Sequence, residues 1–189
     1  MKRLFLFVII FLISCAGTSG SAPEERSEDS PVKEITIIGE SHAEAFDCTY
    51  FSTSCENEGV SGETIEKTLT HLDTRKLKTV ILFTGVNSIF FISLADALEK
   101  YPILYQRIDS NDIYCIGLPT DVNVSPEKIS EFNTMVKELC GEAHYIDSQE
   151  FTSDGNGHWL DGMTIDGVHI TSPGYTLIAE EIKTRMREQ

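Results

Sequence analysis

The chain has 189 residues, 41% of them hydrophobic and 9% aromatic, and carries a formal net charge of −15. A surface this acidic repels phosphate backbones and anionic membrane faces, so nucleic acid is not expected as a partner and a neutral or weakly charged substrate is favoured. The length bounds the protein at one domain with one sizeable core.

Lys2 and Arg3 precede an apolar run from Leu4 to Ile13. About ten apolar residues are too few to cross a bilayer as a helix and match the core of an export signal. The tetrad Leu12-Ile13-Ser14-Cys15 resembles a bacterial lipobox. Residues 1–14 therefore read as a lipoprotein signal peptide and Cys15 as the lipid-modified first residue of an exported protein anchored to a bacterial membrane. An ordinary signal peptide with an incidental Cys15 is the alternative. Residues 15–32 are rich in Ser, Gly, Pro and Glu with almost nothing to bury, the composition of a flexible tether. Without residues 1–14 the balance is 13 basic against 30 acidic residues, about −17 by count. Residues 33–189 remain for the folded domain, expected to be a monomer.

Apolar runs suited to buried parallel strands occur at Ile35 to Ile38, Thr79 to Phe83, Asp112 to Gly117 and Ala143 to Ile146, with a short, poorly marked one before Gly59. Helical patterns lie between them. Ser125-Pro126 reads as a cap followed by a first-turn proline, after which Ile129, Phe132, Val136 and Leu139 recur on one face. Ser172-Pro173 is expected to start the last helix in the same way, with Tyr175, Ile178, Ile182 and Met186 on its buried side. This alternation predicts an α/β fold, a three-layer α/β/α sandwich around a parallel sheet of about five strands. By analogy with flavodoxin-like sheets the strand order is 2-1-3-4-5, with the switch point between the first and third strands.

Four cysteines fall in the exported domain, at Cys48, Cys55, Cys115 and Cys140, and an even count in an oxidising compartment points to disulfides. Three connectivities are possible. Cys48 and Cys55 flank one short loop, and Cys140 ends the helix that runs back beside the strand holding Cys115, so 48 with 55 and 115 with 140 are the expected pairs. Reduced core thiols at 115 and 140 are the alternative.

Ser41 follows the first strand, Gly85-Val86-Asn87-Ser88 follows the strand ending at Phe83, and the loop Asn57 to Thr64 opens on the same side. Ligands of open α/β sheets bind at this carboxyl edge. Asp166 and His169 come after the last strand, in a loop long enough to cross back over it. An Asp three residues before a His can orient that imidazole, and a neutral imidazole can take the proton of a serine hydroxyl, which is otherwise a poor nucleophile. Ser41, His169 and Asp166 are thus the candidate nucleophile, base and orienting acid. The Gly-x-Ser-x-Gly elbow of the α/β-hydrolases is absent, and only one strand precedes Ser41.

With these four segments in order, the chain resembles the SGNH hydrolase superfamily, the GDSL esterases and lipases. Ser41 lies in the first block, Gly62 in the second, Asn87 in the third, and Asp166 with His169 in the last. The resemblance implies the SGNH hydrolase fold, a Ser41-His169-Asp166 triad acting through an acyl-enzyme, no cofactor and no metal. It assigns the oxyanion hole to the backbone N–H groups of Ser41 and Gly62 and the side-chain amide of Asn87. Gly62 is expected because a side chain there would block approach to the reacting oxygen.

Two positions depart from the family. The first block reads Gly39-Glu40-Ser41 where Gly-Asp-Ser is usual, and the third has Ser88 in place of Asp. Glu40 is expected to shift the loop that aims Ser41, and Ser88 to remove a carboxylate bracing the Asn87 turn. The compact domain, with no lid-like insertion, favours a small acyl group such as an acetyl ester, on a small molecule or an acylated glycan. Other activities of the same core are O-acyl transfer, thioester hydrolysis and lysophospholipid hydrolysis. A surface-tethered carbohydrate-binding protein that lost catalysis is the reading from a different class.

The remaining histidines show no paired ligand spacing. His42 reads as a rim or packing residue rather than a second base, and His71 and His144 as surface or helix-end residues. Asp154 to His158 reads as a glycine-rich loop rather than a calcium site. Trp159 is expected either to line the substrate site or to pack.

Overall fold

The computed structural model describes residues 34–72 and 74–188. The assigned signal peptide, tether and Cys15 lie outside the described residues. In chain order the elements are β1 (Ile35–Gly39), α1 (Ser41–Glu44), a 3-10 turn (Cys48–Tyr50), β2 (Cys55–Asn57), α2 (Ile65–His71), β3 (Thr79–Phe83), α3 (Val86–Phe91), α4 (Leu94–Arg107), β4 (Asp112–Ile116), α5 (Pro126–Cys140), β5 (Tyr145–Ile146), α6 (Gln149–Thr152) and α7 (Ser172–Arg187).

The five strands form one parallel sheet in the order β2-β1-β3-β4-β5. The order reverses between β1 and β3, as expected. Every residue of β1 is buried, as are Val80 to Phe83 of β3, so helices cover both faces and the strands read as unbroken apolar runs. On one side α4 packs against α2, α3 and α5, with Tyr101 and Phe132 meeting edge to face at 5.3 Å between ring centres. On the other, Phe46 after α1 stacks on Tyr175 of α7 at 5.3 Å.

Strand β2 was the poorly marked one because nothing in Cys55-Glu56-Asn57 is fully buried. Its place is fixed by pairing, Ile35 opposite Cys55 and Ile37 opposite Asn57, and by the Cys48–Cys55 disulfide at its first residue. The second disulfide joins Cys115 in β4 to Cys140, the last residue of α5. Both bridges are the expected pairs, and the structure does not contain the reduced alternative at 115 and 140.

Helix α5 begins at Pro126 after Ser125, although the Ser125 hydroxyl makes no capping bond. Ile129, Phe132 and Val136 are buried and Leu139 packs on the core from its edge. The start of α7 differs from the expectation by one residue. Thr171 holds the extended N-cap conformation, and Ser172 and Pro173 are the first two helical residues. Proline is equally acceptable there, because first-turn N–H groups have no partner within the helix.

Candidate active site

Strand β1 ends in a constriction. At Gly39, φ is +147° and a side-chain Cβ would stand 2.0 Å from the carbonyl oxygen of Phe83 on β3, so only glycine fits. The next N–H, that of Glu40, donates to the same carbonyl at 3.3 Å. From this point side chains alternate sharply. Glu40 and His42 are fully buried, while Ser41 between them stays half-buried and opens α1 toward the carboxyl edge of the sheet.

Ser41 Oγ lies 3.2 Å from His169 Nε2, and His169 Nδ1 lies 2.8 Å from Asp166 Oδ2. The other Asp166 oxygen accepts the backbone N–H groups of Val168 at 2.9 Å and His169 at 2.8 Å. The backbone and ring N–H groups of His169, with the N–H of Val168, hold the Asp166 carboxyl well below the usual carboxylate range. An ionised Asp166 fixes the proton on Nδ1, which leaves Nε2 free to accept from Ser41. The His169 and Asp166 side chains are 40% and 48% exposed, so this relay stands on an open surface.

The loop carrying Asp166 and His169 is cross-braced. Thr164 Oγ1 accepts the N–H of Gly167 at 2.8 Å and donates to the carbonyl of His169 at 3.1 Å. The Gly167 carbonyl accepts two further bonds, from the N–H of Val122 at 3.0 Å and from the Trp159 indole at 2.9 Å. Of the two roles expected for Trp159, the structure shows packing against the core, to which the indole N–H adds the brace on Gly167.

Asn87 is the second residue of α3. Its Nδ2 donates to the carbonyl of Glu63 at 3.0 Å, which ties it to the turn that holds Gly62. A primary amide has two N–H groups, and this bond uses one of them. Gly62 occupies that turn, where the N–H of Glu63 donates to the carbonyl of Val60. A Cβ at Gly62 would meet no protein atom within 4 Å, and its φ of +77° is a second reason for glycine at this position, beside the one expected.

The two departures from the family pattern also take a different form from the one expected. Glu40 Oε1 accepts the N–H of Val86 at 2.9 Å and Oε2 that of Asn87 at 3.0 Å, so Glu40 braces the Asn87 turn. Burial pushes its carboxyl up to about 8 against the pull of the Asn87, Val86 and Gly85 N–H groups, with Asp121 adding to the rise. Ser88 is buried, and its Oγ accepts the N–H of Ile65 at 2.9 Å, linking α3 to the start of α2.

His42 is a packing residue and not part of the rim. Its ring stacks on Phe83 at 5.0 Å and tilts against His169 at 5.7 Å, and Nδ1 lies 3.5 Å from the Tyr175 hydroxyl. Burial, with His169 adding to it, pushes His42 down to about 3, so it is neutral at ordinary pH. His71 ends α2 and pairs with Glu63 at 3.2 Å, while His144 pairs with Asp112 at 3.2 Å. Asp154 Oδ1 accepts the N–H groups of Asn156 and His158, an ordinary Asx-turned loop.

One organising residue escaped the sequence reading. Asn57 Nδ2 donates to the carbonyls of Ala43 at 2.7 Å and Phe46 at 2.9 Å, and its Oδ1 accepts the N–H of Gly59 at 2.8 Å. It pins the end of α1 to the second loop. The Asn-x-Gly spacing signals a turn, but nothing local signals the distant carbonyls.

Comparison with known proteins agrees with this geometry. A profile of the GDSL-like Lipase/Acylhydrolase family matches residues 38–177. An N-acylneuraminate cytidylyltransferase from Escherichia coli O18:K1:H7 is 23% identical over 177 residues, covering 84% of this chain and 42% of the relative. The chain thus spans about two fifths of the length of the curated relative it matches. Among solved structures, a candidate platelet activating factor from Streptococcus pneumonia superposes with a TM-score of 0.69 at 21% identity, covering 84% of this chain and 86% of that one. A carbohydrate esterase family 3 protein from Talaromyces cellulolyticus gives 0.59 at 15% identity, covering 83% and 97%. At these identities the superpositions show a shared fold.

Proposed function

The chain belongs to the GDSL-like lipase/acylhydrolase family, and from that premise we propose that it is a serine esterase cleaving short acyl esters, acetyl above all, from a glycan. The observation that carries the proposal is the relay Ser41 Oγ, His169 Nε2, His169 Nδ1 and Asp166, with spacings of 3.2 and 2.8 Å.

In this mechanism His169 Nε2 takes the Ser41 proton as Oγ attacks the ester carbonyl, and Asp166 stabilises the imidazolium that forms. The carbonyl oxygen gains a negative charge. The N–H groups of Ser41 and Gly62 and the free N–H of the Asn87 amide receive it. Collapse breaks the ester bond, the imidazolium gives its proton to the departing sugar oxygen, and the acyl group remains on Ser41. Water, deprotonated by His169, then releases the carboxylic acid and restores the serine.

Three observations favour a short acyl group on a larger alcohol. The relay lies open, so a bulky alcohol can approach it. Phe90 and Phe91 follow Asn87 by three and four positions on the same face of α3, more than half exposed and paired edge to face at 4.8 Å, and offer an apolar surface beside the reacting centre. The curated relative is an N-acylneuraminate cytidylyltransferase, and one fold neighbour is a carbohydrate esterase. We propose further that the enzyme is exported and held to a bacterial membrane through lipid on Cys15.

The test is hydrolysis of p-nitrophenyl esters of increasing chain length and of acetylated glycans by the purified domain, with Ser41→Ala as control. Acetate release that vanishes in the control and falls with chain length is expected. A fluorophosphonate should place one label on Ser41. Binding of acetylated glycan without acetate release at any enzyme concentration would overturn the proposal.

A further inference from the structure

We infer that Glu40 is a positioning residue that sets the distance between the nucleophile and the Asn87 amide, an inference that rests on the transition-state role proposed for Asn87.

The first N–H groups of any helix lack an acceptor within it. In α3 the N-cap is Gly85, which has no side chain to supply one. Val86 and Asn87 find their acceptor 46 and 47 residues upstream, in the two oxygens of one carboxyl group. That group is fully buried and belongs to the residue directly before Ser41. The nucleophile and the backbone of the oxyanion donor are therefore joined through a single side chain as well as through the β1–β3 pairing. At its other end the Asn87 amide is held by the Glu63 carbonyl, so Asn87 is fixed at both its backbone and its side chain.

The residue type follows from this geometry. Two N–H donors converge, and both must meet acceptors. A glutamine of the same length brings one oxygen and one NH2 group, which turns a donor toward a donor. Aspartate keeps both oxygens but is one methylene shorter, so α3 must move toward β1 to retain the bonds. Displacement of a donor by a fraction of an ångström costs rate and leaves ground-state binding largely intact, because the oxyanion exists only in the transition state.

The experiment is a double-mutant cycle on kcat and KM with p-nitrophenyl acetate, using Glu40→Gln, Asn87→Ala and the double variant. Glu40→Gln is expected to lower kcat by roughly 10- to 100-fold with KM within about twofold. In the Asn87→Ala background the same change should lower kcat by less than about threefold, since the donor it positions is gone. Glu40→Asp keeps both acceptors but draws α3 toward β1, so it should lower kcat by a smaller factor that likewise disappears in the Asn87→Ala background, and it carries the cycle if Glu40→Gln fails to fold.

An equal loss in both backgrounds means that Glu40 supports the fold alone and overturns the inference while leaving the esterase reading standing. Wild-type kcat in folded Glu40→Gln overturns it as well. An Asn87→Ala variant with undiminished kcat defeats instead the role proposed for Asn87, and this inference with it.

Discussion

The indole N–H of Trp159 donates to the carbonyl of Gly167 at 2.9 Å, in the middle of the short loop bounded by Asp166 and His169. The same carbonyl accepts from Val122, so this one peptide anchors the loop to two separate segments. Trp159→Phe keeps the apolar bulk and removes the donor. It should lower kcat by roughly tenfold with little change in KM, because the imidazole loses alignment with Ser41. The fold should lose about 0.5–1.5 kcal/mol, the net worth of one hydrogen bond. Steady-state kinetics and urea denaturation measure both, and wild-type kcat in the variant would show that Val122 alone suffices.

On the proposed mechanism, Asn87→Ala removes a donor aimed at charge that exists only in the transition state. Turnover should fall by roughly 100- to 1,000-fold while KM changes little. A glycan-binding protein would show the reverse, a weakened affinity and no turnover to lose. Isothermal titration and acetate release on one substrate separate the two.

Much of this site is legible in the amino-acid sequence because its parts are local signals. A serine after an apolar run and an Asp three residues before a His each announce a role within a few residues, and the relay at Ser41, His169 and Asp166 joins them at hydrogen-bond distance. The strands were equally accessible, since buried parallel strands read as apolar runs, while their order came from analogy with flavodoxin-like sheets. What stayed hidden depends on long-range pairing. Glu40 reads as a departure from a motif until Val86 and Asn87 are seen to donate to it. Asn57 looks like one more loop residue until the carbonyls of Ala43 and Phe46 are near. The positive φ of Gly62 was not legible, because it leaves the same residue in the sequence as the close approach expected there.

Stability should depend on pH through His42. In the folded protein its pKa is pushed down to about 3, against an ordinary value of 6.5, so the native state keeps it neutral while the unfolded chain takes up a proton. Its contribution is intact above pH 6.5 and is lost as pH falls from 6.5 toward 3. Glu40 acts in the opposite direction. Held up to about 8 against an ordinary 4.5, it contributes most below pH 4.5 and loses that contribution as pH rises toward 8. The melting temperature of His42→Phe should therefore fall less steeply on acidification below pH 6.5 than that of the wild type. Parallel slopes would contradict the assignment.

The Cys48–Cys55 bridge closes a short loop and anchors an edge strand that buries little of its own. Replacing both cysteines with serine should cost about 2.5 kcal/mol by loop-closure entropy. Denaturant unfolding of the oxidised double variant measures it. The relay itself lies outside this loop, so kcat should be retained under folding conditions.

Cys15→Ala should move the protein from the membrane fraction to the soluble one with its esterase activity unchanged. Fractionation with mass spectrometry of the mature N-terminus checks this, and an unmodified terminus at another residue would refute the anchor.

Ser41 and His169 are 128 residues apart in the chain, yet their side chains meet. Asp166 and His169 can find each other within a loop, but the serine joins them only when the first strand and the segment before the last helix have closed on one another. Closure over so long a span is expected late in folding, after the local helices have formed. In refolding from denaturant with the disulfides intact, recovery of ester hydrolysis should lag behind the far-ultraviolet signal of the helices. The proposed esterase activity would then be a clock for the final step of the chain's own assembly, and a partly folded molecule, however rich in helix, would be silent.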